Sequence, residues 1–291
     1  MFEGVIPAII TPFKESGELD EEGLRRNIEY LSESGISGIV PCGTTGESAT
    51  LSFEEHKKVV EISVECSKVN VIAGSGSNNT NEAIDLSKHA EDVGADAALL
   101  ITPYYNKPTD RGMLAHFKSV AEVCDLPLIL YNVPSRTSVN LKPEIVAELA
   151  ELETIVGIKE ASGDLGQVSR IIELTQDQDF AVLSGDDGLT IPIMSLGGSG
   201  VISVVADVAP KKMVAMVNAM LEGNLKEANR IHYQLAPLIR ALFLETNPIP
   251  VKAAAGMIGL AAGFLRMPLV PMSEDNERIL KEVVDALGEF A

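Results

Sequence analysis

Apolar residues along this chain come in short runs separated by longer amphipathic stretches. Eight runs stand out, at 5–10, 38–41, 71–73, 97–101, 128–131, 155–158, 181–183 and 200–204. The residues that follow them (Thr11, Cys42, Gly74, Thr102, Asn132, Lys159, Ser184 and Val205) lie 31, 32, 28, 30, 27, 25 and 21 positions apart. A βαβ unit takes about 30 residues, so this is a βα repeat at unit spacing. The runs are rich in Ile, Val, Leu and Ala and do not alternate cleanly, which is how parallel strands covered on both faces read.

The stretches between the runs predict helices. Over 20–34, Leu24, Ile28 and Leu31 fall at i, i+4 and i+7, one face of a 3.6-residue period. Ser52 stands three residues before Glu55, the spacing of a capping box, and opens a helix to about Ser67. A further helix opens at Thr80-Asn81-Glu82 and ends near Gly94, a C-terminal glycine. Pro143 suits a first turn.

Eight such units form either a doubly wound open sheet or a closed barrel. The open sheet with a nucleotide site calls for G-x-G-x-x-G after the first strand, where Thr11-Pro12-Phe13 stands instead; Gly74-Ser75-Gly76 lacks the third glycine. Even spacing of eight units therefore predicts an α/β fold of the (β/α)8 barrel type over 1–222. The stretch 223–291 carries no strand pattern. Helices at 225–243, 250–259 and 274–287 make it a small appended C-terminal helical domain, which caps the barrel or builds an oligomer contact.

Composition narrows the function classes. Lys plus Arg is 23 and Asp plus Glu is 42, a net charge of −19. Such a surface repels phosphate backbones and anionic lipid, so no nucleic acid and no membrane is expected as a partner. No run of 18 apolar residues is present. The opening Met1-Phe2-Glu3 lacks a basic segment, and the expectation is a cytoplasmic protein. Cys42, Cys66 and Cys124 form no C-x-x-C, and four histidines form no H-E-x-x-H, so no metal site is expected.

Barrel chemistry sits at the C-terminal ends of strands. Lys159 ends the sixth run there. A free lysine, with a pKa near ~10.4, is neutral about once in 2500 molecules at pH 7. Burial that lowers the pKa to ~7–8 raises the neutral, carbonyl-attacking fraction by two to three orders of magnitude. The residue is thus either a Schiff-base amine or a strand-end cation neutralised by an acid such as Glu160. Tyr131 ends the preceding run, and Tyr104-Tyr105 lies between Pro103 and Pro108. Of five tyrosines, three fall at predicted strand ends, a clustering that suits a hydroxyl relay. Gly43-Thr44-Thr45-Gly46 offers backbone N–H groups and two hydroxyls where a carboxylate can bind, or is a plain βα turn. Arg136 suits a substrate carboxylate or a surface ion pair. Gly197-Gly198-Ser199-Gly200 precedes the eighth strand, at the opposite face, and carries no phosphate site.

Three of these stretches, Gly43-Thr44-Thr45-Gly46-Glu47, Tyr131-Asn132-Val133-Pro134-Ser135-Arg136-Thr137 and Gly157-Ile158-Lys159-Glu160, resemble the pyruvate-dependent class I aldolase superfamily. Within it they are similar to the dihydrodipicolinate synthase (4-hydroxy-tetrahydrodipicolinate synthase) family. The likeness spans the whole chain, through Asn247-Pro248-Ile249-Pro250-Val251-Lys252. The Thr-Thr-Gly and lysine elements mark the superfamily, which also holds sialic acid lyases and sugar-acid aldolases; Asn-Val-Pro-Ser-Arg-Thr is the more specific part.

The resemblance implies that Lys159 forms a Schiff base with pyruvate and that the enamine attacks L-aspartate 4-semialdehyde, on the diaminopimelate route to L-lysine, with no cofactor. It implies a proton relay of Tyr131, Thr44 and Tyr105, the last reaching in from a neighbouring subunit of a homotetramer built as a dimer of dimers. Thr45 would bind the pyruvate carboxylate, Arg136 that of the aldehyde, and Gly185 and Ile202 would line the pocket. It further implies L-lysine as an inhibitor, held by Ser48, Ala49, His56, Asn78, Glu82 and Tyr104, with Phe53 standing where bacterial relatives often have histidine. Two other readings are a 2-keto-3-deoxy sugar acid aldolase or N-acetylneuraminate lyase on the same scaffold, which has little use for Arg136, and a non-enzymatic ligand-binding barrel.

Overall fold

Strands form where the apolar runs predict them. In a computed structural model that describes residues 2–288, they are β1 (Gly4–Pro7), β2 (Gly38–Ile39), β3 (Asn70–Gly74), β4 (Ala97–Ile101), β5 (Leu128–Asn132), β6 (Ile155–Glu160), β7 (Ala181–Ser184) and β8 (Gly200–Ser203). They form one sheet in the order β1-β8-β7-β6-β5-β4-β3-β2. The two ends of that order are joined by the parallel bridge Ala8↔Val40, with the Val40 N–H donating to Pro7 O at 2.8 Å and the Ile9 N–H to Val40 O at 3.0 Å. The fold is a (β/α)8 barrel with flanking helices.

The strand bounds differ from the sequence pattern in one way that matters. The sixth strand runs on through Lys159 and Glu160, so the lysine lies inside the ladder rather than just past it. Hydropathy ends the run at Ile158, but backbone pairing does not depend on side-chain polarity. Tyr131↔Lys159 and Asn132↔Glu160 remain in register across β5 and β6.

Two compact units are described in turn. The first holds Asn70–Ile202 with the first residues of the chain. Its strands β4 to β8 are buried almost throughout, the burial of a parallel sheet covered on both faces. Helix Thr80–Asp92 starts on an Asn79 cap and ends before Gly94, whose φ of +86° is a left-handed turn that glycine takes without steric cost. Pro143 opens helix Pro143–Leu149.

The second unit holds Val5–Val69 and the chain from Ser203 onward. Helix Glu21–Ser32 buries Leu24, Ile28 and Leu31, the predicted face. Helix Phe53–Cys66 carries the reciprocal capping box of Ser52 and Glu55. Past residue 222 come helices Leu225–Ala241, Ile249–Met257 and Glu274–Ala286. Among the described residues no helix is long and apolar enough to cross a membrane.

Candidate active site

Strained backbone gathers after strands. Among the described residues five non-glycine residues take positive φ: Cys42 at 56°, Glu47 at 54°, Tyr105 at 69°, Lys107 at 45° and Ser138 at 59°. Every one follows the C-terminal end of β2, β4 or β5. Such backbone states persist only where the surroundings impose them, and they cluster at functional sites. In a barrel this is also the face that carries chemistry.

In the first unit, Lys159 and Tyr131 are register partners on adjacent parallel strands, so their side chains leave the sheet on the same face. Both are buried, at 6% and 7% exposure. The Lys159 Nζ lies 4.4 Å from the Tyr131 ring centroid, within reach of the ring's negative face. The period-two alternation sends Asn132 and Glu160 to the other face. There the Glu160 carboxylate accepts from Asn132 Nδ2 at 3.2 and 3.0 Å, from Gln167 Nε2 at 3.1 Å and from the Ser162 N–H at 2.6 Å. Glu160 thus belongs to an amide network rather than to its chain neighbour. Asn132 also binds Asn140 Oδ1 at 2.8 Å and takes the Leu141 N–H at 2.9 Å, which locks the end of β5. Asn132 and Glu160 each follow a candidate residue by one position, so strand alternation is the signal that could have placed them together on the opposite face.

Gly185 follows β7, and its N–H donates to Glu160 O at 2.8 Å. A Cβ there would meet Ala161 Cβ at 2.7 Å and Lys159 Cγ at 3.1 Å, so only glycine lets the chain pass this close to the lysine stem. Ile202 is buried in β8. Arg136 is exposed, in the short helix Pro134–Thr137. The Thr102 hydroxyl donates to Thr137 Oγ1 at 3.3 Å, tying the end of β4 to that helix. Tyr105 is 90% exposed and Tyr104 39%. Their loop is held by amides: Asn78 Nδ2 donates to Tyr104 O at 3.1 Å and Asn106 Nδ2 to Asn78 O at 2.8 Å. Glu82, in the first turn of its helix, already accepts from Ser77 Oγ at 2.8 Å and Asn79 Nδ2 at 3.1 Å.

In the second unit, residues 43–47 form a tight turn in which the Glu47 N–H donates to Thr44 O at 3.2 Å. Thr45 is buried, and its hydroxyl accepts from Asn247 Nδ2 at 3.0 Å. A hydroxyl that accepts there keeps its proton to donate elsewhere. Thr44 is half-buried. Ser48 opens the short turn Ser48–Thr50, Ala49 is exposed, Phe53 is 45% exposed and His56 is buried. Lys252 and Glu47 form a buried ion pair behind the turn, and the half-buried Arg266 adds its backbone N–H to the Glu47 carboxylate. Among the described residues no group of three or more His, Cys, Asp or Glu could hold a metal ion.

Comparison with known proteins gives the family. The model of the dihydrodipicolinate synthetase family matches residues 1–287. The 4-hydroxy-tetrahydrodipicolinate synthase of Methanothrix thermoacetophila is 66% identical, covering 100% of this chain and 98% of its own. That of Methanosarcina mazei is 60% identical, covering 99% of each. A solved dihydrodipicolinate synthase from Acinetobacter baumannii, complexed with pyruvate, matches with a TM-score of 0.96 at 43% identity over 99% of both chains. One from Cyanidioschyzon merolae with lysine bound matches with a TM-score of 0.95 at 42% identity, over 99% of this chain and 98% of that one. A buried strand lysine against a tyrosine, a Thr-Thr turn after β2 and this likeness along the full length place the chain in one group: it belongs to the dihydrodipicolinate synthetase family.

Proposed function

We propose that this chain carries out its family's condensation through a Schiff base on Lys159. The activity is that of a 4-hydroxy-tetrahydrodipicolinate synthase, a lyase of the class I aldolase type that joins pyruvate to L-aspartate 4-semialdehyde. The observation that carries the mechanism is the register of Lys159 with Tyr131, which sets a buried amine 4.4 Å from the ring centroid.

The neutral Nζ attacks the pyruvate ketone carbon, and a carbinolamine forms. Loss of water gives the imine, and the proton on the departing hydroxyl has to come from a neighbouring O–H. Tyr131, Thr44 and Tyr105 are the relay we assign to it, with Tyr105 serving a neighbouring subunit. Deprotonation of the imine's methyl group gives the enamine. Its carbon attacks the semialdehyde, and the aldehyde oxygen becomes a hydroxyl. The semialdehyde's amino group then closes on the imine carbon and releases Lys159. Thr45 donates to the pyruvate carboxylate, Arg136 pairs the carboxylate of the incoming aldehyde, and Gly185 and Ile202 line the pocket. The 90% exposure of Tyr105 supports the shared site.

The same reading makes the protein a cytoplasmic homotetramer that needs no metal. It assigns residues 1–222 to the catalytic barrel and 223–291 to an appended helical domain. L-lysine, which the Cyanidioschyzon merolae relative binds, is the proposed inhibitor, at Ser48, Ala49, His56, Asn78, Glu82 and Tyr104.

Borohydride reduction in the presence of pyruvate tests the mechanism. Mass spectrometry is expected to find one pyruvate-derived adduct per chain, on Lys159, and Lys159→Ala to lose both adduct and activity. An adduct on any other lysine overturns the assignment.

A further inference from the structure

Thr44 and Thr45 sit in a turn whose last residue is held in an unfavourable state. Glu47 has φ 54° and ψ 34°, left-handed values that a side chain other than glycine or asparagine seldom takes. What imposes them is a buried cation that the reading of the active site does not use. Lys252 comes from helix Ile249–Met257, and its side chain is 3% exposed against 1% for Glu47. Its Nζ donates to Glu47 Oε1 at 2.7 Å, to Thr11 O at 3.0 Å and to Phe264 O at 2.7 Å. An ammonium has three protons, so all are placed. The same Nζ lies 4.6 Å from the Phe13 ring centroid.

The rest of the cluster leaves Glu47 no alternative orientation. Its second oxygen accepts the Arg266 N–H at 3.0 Å. The Arg266 guanidinium stacks 4.1 Å from the same Phe13 ring and is committed to Glu55, Gly17 O and Thr50 O. Thr11, one of the lysine's three acceptors, gives its own hydroxyl to Gly46 O at 2.7 Å. Asn247, five residues before Lys252, holds the Thr45 hydroxyl at 3.0 Å. One short segment therefore grips the turn at two residues, and Thr11 grips it at a third.

A buried ion pair is a poor source of stability, since desolvation offsets most of the attraction and an apolar pair of similar volume often does as well. Its distinctive property is direction: a fully hydrogen-bonded ammonium fixes its acceptors at one point. We propose that Lys252, acting through Glu47, is a positioning residue that sets the Thr44–Thr45 turn for pyruvate. Binding of the first substrate then depends on it, and reaction with the second does not. This rests on the reading of Thr45 as the partner of the pyruvate carboxylate.

A covalent mechanism with two half-reactions separates the substrates kinetically, because kcat/KM for each reports its own half. Lys252→Met is expected to lower kcat/KM for pyruvate by about 10- to 100-fold and to leave kcat/KM for the semialdehyde within about threefold. The double variant Glu47→Gln with Lys252→Met removes both charges and leaves no stranded carboxylate. It is expected to regain thermal stability while its pyruvate KM stays raised. Recovery of stability and pyruvate KM together makes the pair a structural strut and overturns the proposal, as does an equal loss for both substrates. If neither methionine variant folds, Glu47→Gln alone decides: an unchanged pyruvate KM overturns it, and a rise of about threefold or more supports it. Thr45→Val serves as the reference. A normal pyruvate KM there refutes the carboxylate reading itself, whereas a raised KM there beside a normal one in the double variant refutes only the role of Lys252.

Discussion

Two loops that supply hydroxyl groups after strands are held in opposite ways. The turn 43–47 is fixed from behind by buried charge: Lys252 and Glu47 pair at 2.7 Å with side chains 3% and 1% exposed. The loop 104–107 is held by surface amides of Asn78 and Asn106, and Tyr105 at its tip is 90% exposed. Both contain left-handed residues other than glycine, Glu47 in one and Tyr105 and Lys107 in the other. The first strain is balanced by contacts already made within one chain. The second leaves a large ring in water, a cost that burial against another copy of the chain would offset. Rigidity in one loop comes with folding, while on the proposed shared site that of the other is completed by assembly.

The largest effect should fall on the first loop. Glu47→Ala strands the Lys252 ammonium in the interior and should cost about 3–5 kcal/mol, read by chemical denaturation. A loss below about 1 kcal/mol would place the pair in water and end the contrast. Tyr105→Phe should do the reverse. Its kcat should fall on the order of 100-fold, the low end of what a general acid contributes, while the melting temperature stays within about 2 °C. Mixing it with Tyr131→Phe should restore part of the activity if hybrid dimers form. Full activity in a sedimenting monomer would argue against the shared site.

Acid should act first on the helices that flank the Tyr loop. His116, on helix Asp110–Ala121, meets Thr80 Oγ1 at 3.0 Å through Nδ1, and burial lowers its pKa from 6.5 to about 4. The folded chain therefore refuses a proton that the unfolded chain accepts. The contribution is complete above pH 6.5 and is lost as pH falls toward 4, on the order of 3 kcal/mol at about 1.4 kcal/mol per unit. His116→Gln should flatten stability between those pH values. On the other side, Arg266 hydrogen-bonds Glu55 and holds its carboxyl below the usual 4.5. That support is present above 4.5 and fails only as pH falls further. Loss of Phe53–Cys66 protection in hydrogen exchange before that of Thr80–Asp92 would reverse the expected order.

The smallest expected effect is the proposed inhibition by L-lysine, titrated to ~10 mM, at the weak end of ordinary affinities. Glu82 already holds Ser77 and Asn79, so an ammonium must share the carboxylate with them, and the response should be modest. Glu82→Ala should abolish it; an equal response would move the effector site elsewhere.

Local pattern was enough for the repeat, the helix faces and the places of the strands. Leu24, Ile28 and Leu31 lie on one buried face because a 3.6-residue period leaves no other choice. The Ser52–Glu55 box formed because its partners are three residues apart. Tyr131 and Lys159 were visible as the last polar-tipped residues of apolar runs. What the pattern hid was that the strand runs on through Glu160: hydropathy ends the run at Ile158, and only pairing with β5 extends the alternation that turns Glu160 away from Lys159. The strained turns and the Lys252–Glu47 pair lay beyond reading for the same reason. Nothing near Glu47 announces a lysine 205 residues away, and a buried charge is stable only once the fold supplies its acceptors. The amino-acid sequence by itself determined the βα repeat and the short-range caps, whose partners lie within one turn or one strand. Tertiary structure alone decided which charges could be buried and which backbone angles could be forced, since both depend on groups that only the closed chain brings together.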